Sequence, residues 1–453
     1  MDVENQFLKI IRNNDLTEIK NFVNSKRIKL EELNIFSNIL LYLIKNNISF
    51  EVIDFIIKYA DQNNILLKIN EKDEDGNFPL LQIINNNNFE LLKYLVNYSI
   101  NHNVIINFNN KDNDGNHPLM KAILNNNKEM VKQLFKHSEI LNKEMCIKIV
   151  LNEFIIASYK NKNSMTNEEI NKYVKIFDKI IININEKNNK GSYPLLKSVH
   201  KSYTDLVKLQ IKYAEFHNIT LCIKDKDIKK RYPLLQAIFK NNVEIIKLLI
   251  QYADKHNIFL DIDDQDRNDN YPFLIAVDNE DIYTMNLLID IADKNNIIID
   301  MNKTNVYNNN CLLLAVDKKK EEIVKIIINY ADSHYNDDHK LDLYKINIFN
   351  SYPFKLSIMH NNIKIIRLLI KYAYRHKIPL ETDIFEKYPR LSIISNYKNE
   401  ILELLNSSSD SDLFIKKESS TSQKSIQGYY NHWFNNYIVK YINIEFFLFF
   451  FFF

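Results

Sequence analysis

Residues 231–266, RYPLLQAIFKNNVEIIKLLIQYADKHNIFLDIDDQD, outline two helices and a return loop. Pro233 suits the first turn of a helix, where its missing N–H is not needed. Leu234, Ala237 and Ile238 follow at helical spacing, and Asn241-Asn242 break the run as turn residues do. A second pattern puts Ile245, Leu248, Leu249, Tyr252 and Ala253 on one helical face. A lone helix pair of this size cannot bury both faces, so the stretch predicts neighbours built like itself.

Such neighbours recur as Phe78-Pro79-Leu80, His117-Pro118-Leu119, Tyr193-Pro194-Leu195, Tyr271-Pro272-Phe273, Tyr352-Pro353-Phe354 and Tyr388-Pro389-Arg390. Pro79 and Pro118 stand 39 residues apart, as do Pro194 and Pro233, and Pro233 and Pro272. One further step of 39 reaches Cys311, in NNCLLLAVDKKKEEIVKIIINYAD, the same repeat with Cys in place of Pro. From Pro118 to Pro194 is 76 residues, nearly two periods, which predicts a degenerate repeat between them. Seven of the eight prolines occupy this one position, the exception being Pro379, and a fixed period of about 20–50 residues is the mark of a solenoid.

A solenoid grows without a single core, so 453 residues need not form one globule. A net charge of +2, from 59 basic and 57 acidic residues, gives no electrostatic footprint for nucleic acid or an anionic membrane. Cys146, Cys222 and Cys311 are far apart and fit reduced thiols of a cytoplasmic or nuclear protein. The charged, amphipathic start MDVENQFLKIIRNND is no secretory signal. The abundance of Asn, Ile and Lys is expected to reflect base composition of the gene.

In chain order, residues 1–34 form a capping unit, and 35–70 a repeat without proline that turns at Asn46-Asn47. Residues 142–186 are the degenerate repeat, with Thr166-x-x-Glu169 as a capping box. The array ends near residue 405; 406–428 is a Ser-rich disordered linker and 429–453 an aromatic, hydrophobic tail.

The motif Asp73-x-x-Gly76-x-x-Pro79-Leu80, repeated as Asp112-x-x-Gly115-x-x-Pro118-Leu119, followed by an apolar helix, a polar turn and Leu-Leu, resembles the ankyrin repeat. The resemblance covers roughly residues 1–405 and implies an all-α, ankyrin-like helical solenoid with short β-hairpin or loop fingers. Departures are plain: Tyr, Phe or His replaces the usual Thr before Pro, Leu replaces the usual His after it, and the period is 39 rather than about 33. First-helix capping must therefore be met otherwise. The six extra residues are expected to extend the second helix and its exit by up to ~9 Å.

Gly76, Gly115 and Gly191 stand three residues before a repeat proline, at a finger tip where positive φ favours Gly. Lys230, Asp269, Asn308, Asn350 and Glu386 take that place later, which predicts fingers of different shape. Ala122, Ser198, Ala237, Ala276, Ala315 and Ser357, four residues after the proline or Cys311, let helices approach closely. The resemblance implies that partners meet the fingers and the inner face of the first helices. The candidate contacts are polar in early fingers (Glu74, Asp75, Asn77, Asn113, Asp114, Asn116) and apolar in late ones (Val306, Tyr307, Ile348, Phe349, Ile384, Phe385). Those late pairs form either a partner-binding patch or a set of buried contacts.

Other features point away from chemistry. Glu71-x-Asp73-x-Asp75-Gly76 resembles the start of a calcium loop, but the twelfth position is Gln82, not Glu. His102, His217, His256, His334 and His376 recur at one place in the repeat, facing free carbonyls at the end of the second helix. No Gly-x-Ser-x-Gly, His-Glu-x-x-His or Cys-x-x-Cys occurs, and no glycine-rich phosphate loop is present. The chain is therefore expected to be a non-enzymatic scaffold without cofactor or metal, monomeric, cytoplasmic, and bound to an unidentified protein partner rather than nucleic acid. The final FFLFFFFF is either translation of a T-rich non-coding stretch or a weak anchor. The second case makes a membrane-tethered adaptor the alternative function, although Lys440 and Glu445 interrupt the run and argue against a membrane span.

Overall fold

The computed structural model describes residues 3–26, 33, 38–143, 181–334, 340–381, 384–388 and 397–407. The chain divides into two compact units, Met1–Pro353 and Phe354–Phe453. The Thr166-x-x-Glu169 capping box, Cys146, Pro389 and the whole tail from 408 lie outside the described residues.

Each repeat is a short helix followed by a long one. The first helices are seven residues each: Pro79–Asn85, Pro118–Leu124, Pro194–His200, Pro233–Phe239, Pro272–Asp278, Cys311–Asp317 and Pro353–Met359. Proline fixes their start, since it has no N–H to leave unpaired there. Phe78, His117, Tyr193, Tyr232 and Tyr271 give no side-chain cap. In the repeat that starts at Cys311 a capping side chain appears, Asn310 accepting from Leu313 N–H at 2.8 Å. Several second helices do carry caps: Asn88, Asn127, Asn242 and Asp281 accept from the backbone N–H three residues on, whereas Ser49, Tyr203 and Lys320 give none.

Asparagine has a conformational use here. It holds most of the left-handed non-glycine positions, including Asn47, Asn87, Asn126 and Asn241 between the two helices and Asn64, Asn103, Asn218 and Asn257 after the second. Its short polar side chain tolerates this region better than most residues do. Gene composition alone does not account for that placement.

Within Met1–Pro353 the first helices of successive repeats pack on one another in order. Ala122, Ser198, Ala237, Ala276 and Ala315 are fully buried where they meet. Two tyrosine columns tie repeat to repeat. Tyr193 and Tyr232, in the place of the usual Thr, donate from their hydroxyls to the Asp225 and Asp264 carbonyls of the next repeat, at 2.9 and 3.2 Å. Tyr98, Tyr252 and Tyr330, in the second helices, accept from Leu67, Leu221 and Ile299 N–H of the repeat before, each at 2.9 Å.

The degenerate repeat expected at 142–186 does not separate its neighbours. The Pro118–Leu124 helix packs directly on Pro194–His200. Phe135 and Tyr213 stack at 4.1 Å, and Lys128 pairs with Asp205 at 2.6 Å. Residues 144–180 lie outside the described residues. At the start of the chain, Val3–Asn13 and Leu16–Lys26 pair through Phe7 and Phe22, whose rings lie 6.1 Å apart.

The second unit holds Ile363–Arg375, Ile384–Lys387 and Lys398–Ser407. The first and last of these helices pack together, with the Arg367 guanidinium paired to Glu400.

Candidate protein-binding surface

A finger is a five-residue turn closed by one side chain. Asp73 N–H donates to Asn77 carbonyl at 2.8 Å, Gly76 N–H returns to Asp73 carbonyl at 2.9 Å, and Asp73 Oδ1 accepts from Asn77 N–H at 2.7 Å. Asp112, Asn188, Asp227, Asp266, Asn305 and Asn347 repeat this, six residues before each Pro or Cys311. A carboxylate or amide takes the place of a second backbone rung. That is why the β-hairpins allowed for in the sequence are absent, and no strand occurs among the described residues.

The fingers also share one backbone shape, contrary to expectation. Lys230, Asp269, Asn308 and Asn350 have φ of 56–57°, beside 68–79° for the three glycines. Glycine is required for another reason at two tips. A Cβ on Gly76 would lie 2.4 Å from Asn113 Oδ1, and one on Gly115 2.5 Å from Asn189 Oδ1. The next finger presses there.

Adjacent fingers are joined at the tip. Asn189, Ile228, Val306 and Ile348 N–H donate to Asp114, Lys190, Asn268 and Tyr307 carbonyls of the preceding finger, at 3.1–3.3 Å. These bonds join the fingers into two runs, Asp112 to Arg231 and Asp266 to Ser351.

Of the early candidates, Glu74, Asp75, Asn113 and Asp114 are exposed and Asn77 is half-buried. Asn116 is buried, accepting from Asn188 Nδ2 at 2.9 Å, so it is a tie between fingers and not a contact surface. Asp73 and Asp75 both meet Lys45, at 2.9 and 3.1 Å. Burial alone would raise the Asp73 carboxyl; the Lys45 ammonium and the Asn77 amide outweigh it and hold it below the usual range. Its oxygens are occupied by protein donors, which explains the resemblance to a calcium loop.

Of the late candidates, Val306, Tyr307, Ile348 and Phe349 are all exposed, Phe349 to 61%. Ile346, not anticipated, joins them at 50%. Ile384 and Phe385 do not. They form a short helix, are 0% and 7% exposed, and present no finger. Pro353 to Pro389 spans only 36 residues, three short of the period, and that spacing was the signal available in the sequence.

The histidine column lies at second-helix ends, as the sequence suggested. His102 and His334 Nδ1 sit 2.9 and 3.1 Å from the Tyr98 and Tyr330 carbonyls, with rings stacked on those tyrosines. Their Nε2 atoms face Asp61 and Asp293 of the preceding repeat at 2.8 and 3.3 Å. No group of three or more metal-ligating side chains occurs among the described residues. Cys311 is fully buried, its thiol pushed up to about 12 by burial and directed at the Met301 carbonyl. Among the described residues no helix is long and apolar enough to cross a membrane.

Residues 40–145 match the family model for ankyrin repeats, in three copies. Residues 40–145 are therefore ankyrin repeats. No curated protein matches the chain. The helix pair and finger of the matched ankyrin repeats recur, at the same offsets, in the repeats that start at Pro194, Pro233, Pro272 and Cys311. Ankyrin repeats are protein-interaction modules, and the late finger tips are among the places where apolar side chains stand in water, as Phe216, Phe239 and Phe259 also do on or after the helices.

Proposed function

We propose that this chain is a non-enzymatic scaffold whose protein partner lies along the finger tips and the adjoining first-helix face, with residues 1–405 as the binding array. The observation that carries the reading is the cluster Val306, Tyr307, Ile346, Ile348 and Phe349, exposed on two fingers locked together by the Ile348-to-Tyr307 backbone bond. An apolar patch held on rigid turns is what a partner's anchor residues need, and aromatic side chains dominate such contacts. Affinity then accumulates as successive repeats present further side chains.

The test uses a partner captured on residues 1–405. The double variant Tyr307→Ser, Phe349→Ser should lose the partner in a pull-down while its helicity, read by circular dichroism, stays that of the parent. Retained capture would refute the surface assigned here.

A further inference from the structure

The charge along the tip row is not random. The early tips are acidic, with Glu74, Asp75 and Asp114 exposed. The next two are basic, with Lys190, Lys229 and Lys230 exposed and without an ion pair among the described residues. Lysines at the finger bases differ: Lys187, Lys226 and Lys303 meet Asp225, Asp264 and Asp263 of a neighbouring repeat, at 2.5, 2.5 and 2.8 Å. The acid nearest Lys229 and Lys230, Asp227, is buried and committed to Arg231 and to the turn's own N–H groups. The following tip balances Arg267 against Asp269, and the last two are apolar.

We propose that the partner supplies an extended segment carrying an acidic cluster and a bulky apolar cluster, the first over Lys229 and Lys230 and the second over Tyr307 and Phe349. Unpaired cations two fingers along the row from an exposed apolar patch are complementary to that pattern and repel a basic segment. The spacing follows from the fold. Packed helices stand about 8–10 Å apart, so the two repeat steps from Lys230 to Tyr307 cover roughly 18 Å. An extended chain crosses that in about five or six residues. The proposal rests on the tip row being the binding face, and the test separates the two.

The probe is a phage-displayed library of random peptides, about 16 residues long, selected on the immobilised full chain. Enriched sequences should hold an Asp/Glu cluster about six residues from an aromatic or aliphatic pair. Selection on the variant Lys229→Glu, Lys230→Glu should keep the apolar pair and replace the acids by Lys or Arg. Peptides from the parent selection should bind that variant at least about tenfold more weakly, with the gap closing at high salt. Acid enrichment that is absent, or unchanged on the variant, overturns the proposal, as does a selection no better than a bare-surface control. Enriched peptides indifferent to Tyr307→Ser, Phe349→Ser overturn the tip-row reading itself.

Discussion

His117 stands where other repeats have Phe78, Tyr193, Tyr232 or Tyr271, and it is fully buried with no hydrogen-bond partner on either ring nitrogen. Burial lowers its pKa from 6.5 to about 4, against the weaker pull of Glu186. The folded chain therefore refuses a proton that the unfolded chain binds below pH 6.5. Stability from this site is complete above pH 6.5 and is lost as pH falls through 4. At pH 5 the loss is about 2 kcal/mol. His117→Phe should remove that loss, so its melting temperature should exceed the parent's by more at pH 5 than at pH 8; an equal offset at both would show that His117 does not titrate. Much at this scale was invisible beforehand. Asp73 and Asp112 stood out in the motif, yet nothing in the residue names said that the side chain would close the finger. The exposure of Ile346 depends on the turn's direction, which no local pattern encodes.

Helices carry the repeat register, and the Pro194 repeat departs from it in a paired way. Gln210 occupies the position of Leu249 and Leu288, and Ser198 that of Ala237 and Ala276, sixteen and four residues after the proline. Gln210 Nε2 donates to Ser198 Oγ at 2.6 Å, but its Oε1 is buried without a partner. A buried unsatisfied oxygen costs ~1–3 kcal/mol. Ser198→Ala alone strands the amide further and should destabilise, whereas Ser198→Ala with Gln210→Leu restores the common pair and should raise the denaturation midpoint above the parent's. A double variant weaker than both singles would show that the pocket has set around the amide. The same register makes Ala276→Leu an overpacking change, expected to cost ~1–3 kcal/mol in thermal unfolding. The period of 39 made these positions legible. The pairing was not, because a Gln in an apolar column looks like an ordinary lapse until its partner is placed.

At the level of the whole molecule, the period itself becomes a test. Chain distance from Pro118 to Pro194 suggested an intervening repeat, but the two helices are direct neighbours. Their fingers meet through Asn189 N–H and the Asp114 carbonyl at 3.1 Å, as fingers one period apart do elsewhere. Spacing counts residues along the chain, whereas stacking depends on which faces match, and the faces of these two repeats match each other. Removing residues 144–180 shortens the interval of 76 by 37 and leaves 39, the common period. In that splice Lys143 precedes Ile181, as Ile219 precedes Thr220 in the next repeat. Among the described residues the two repeats already meet directly, through Phe135 on Tyr213 and Lys128 with Asp205. The shortened chain should therefore unfold in one cooperative transition at a temperature close to the parent's. If residues 144–180 instead held the two halves of the array together, the variant would melt in two steps or fail to express as folded protein, and circular dichroism melts distinguish those outcomes directly.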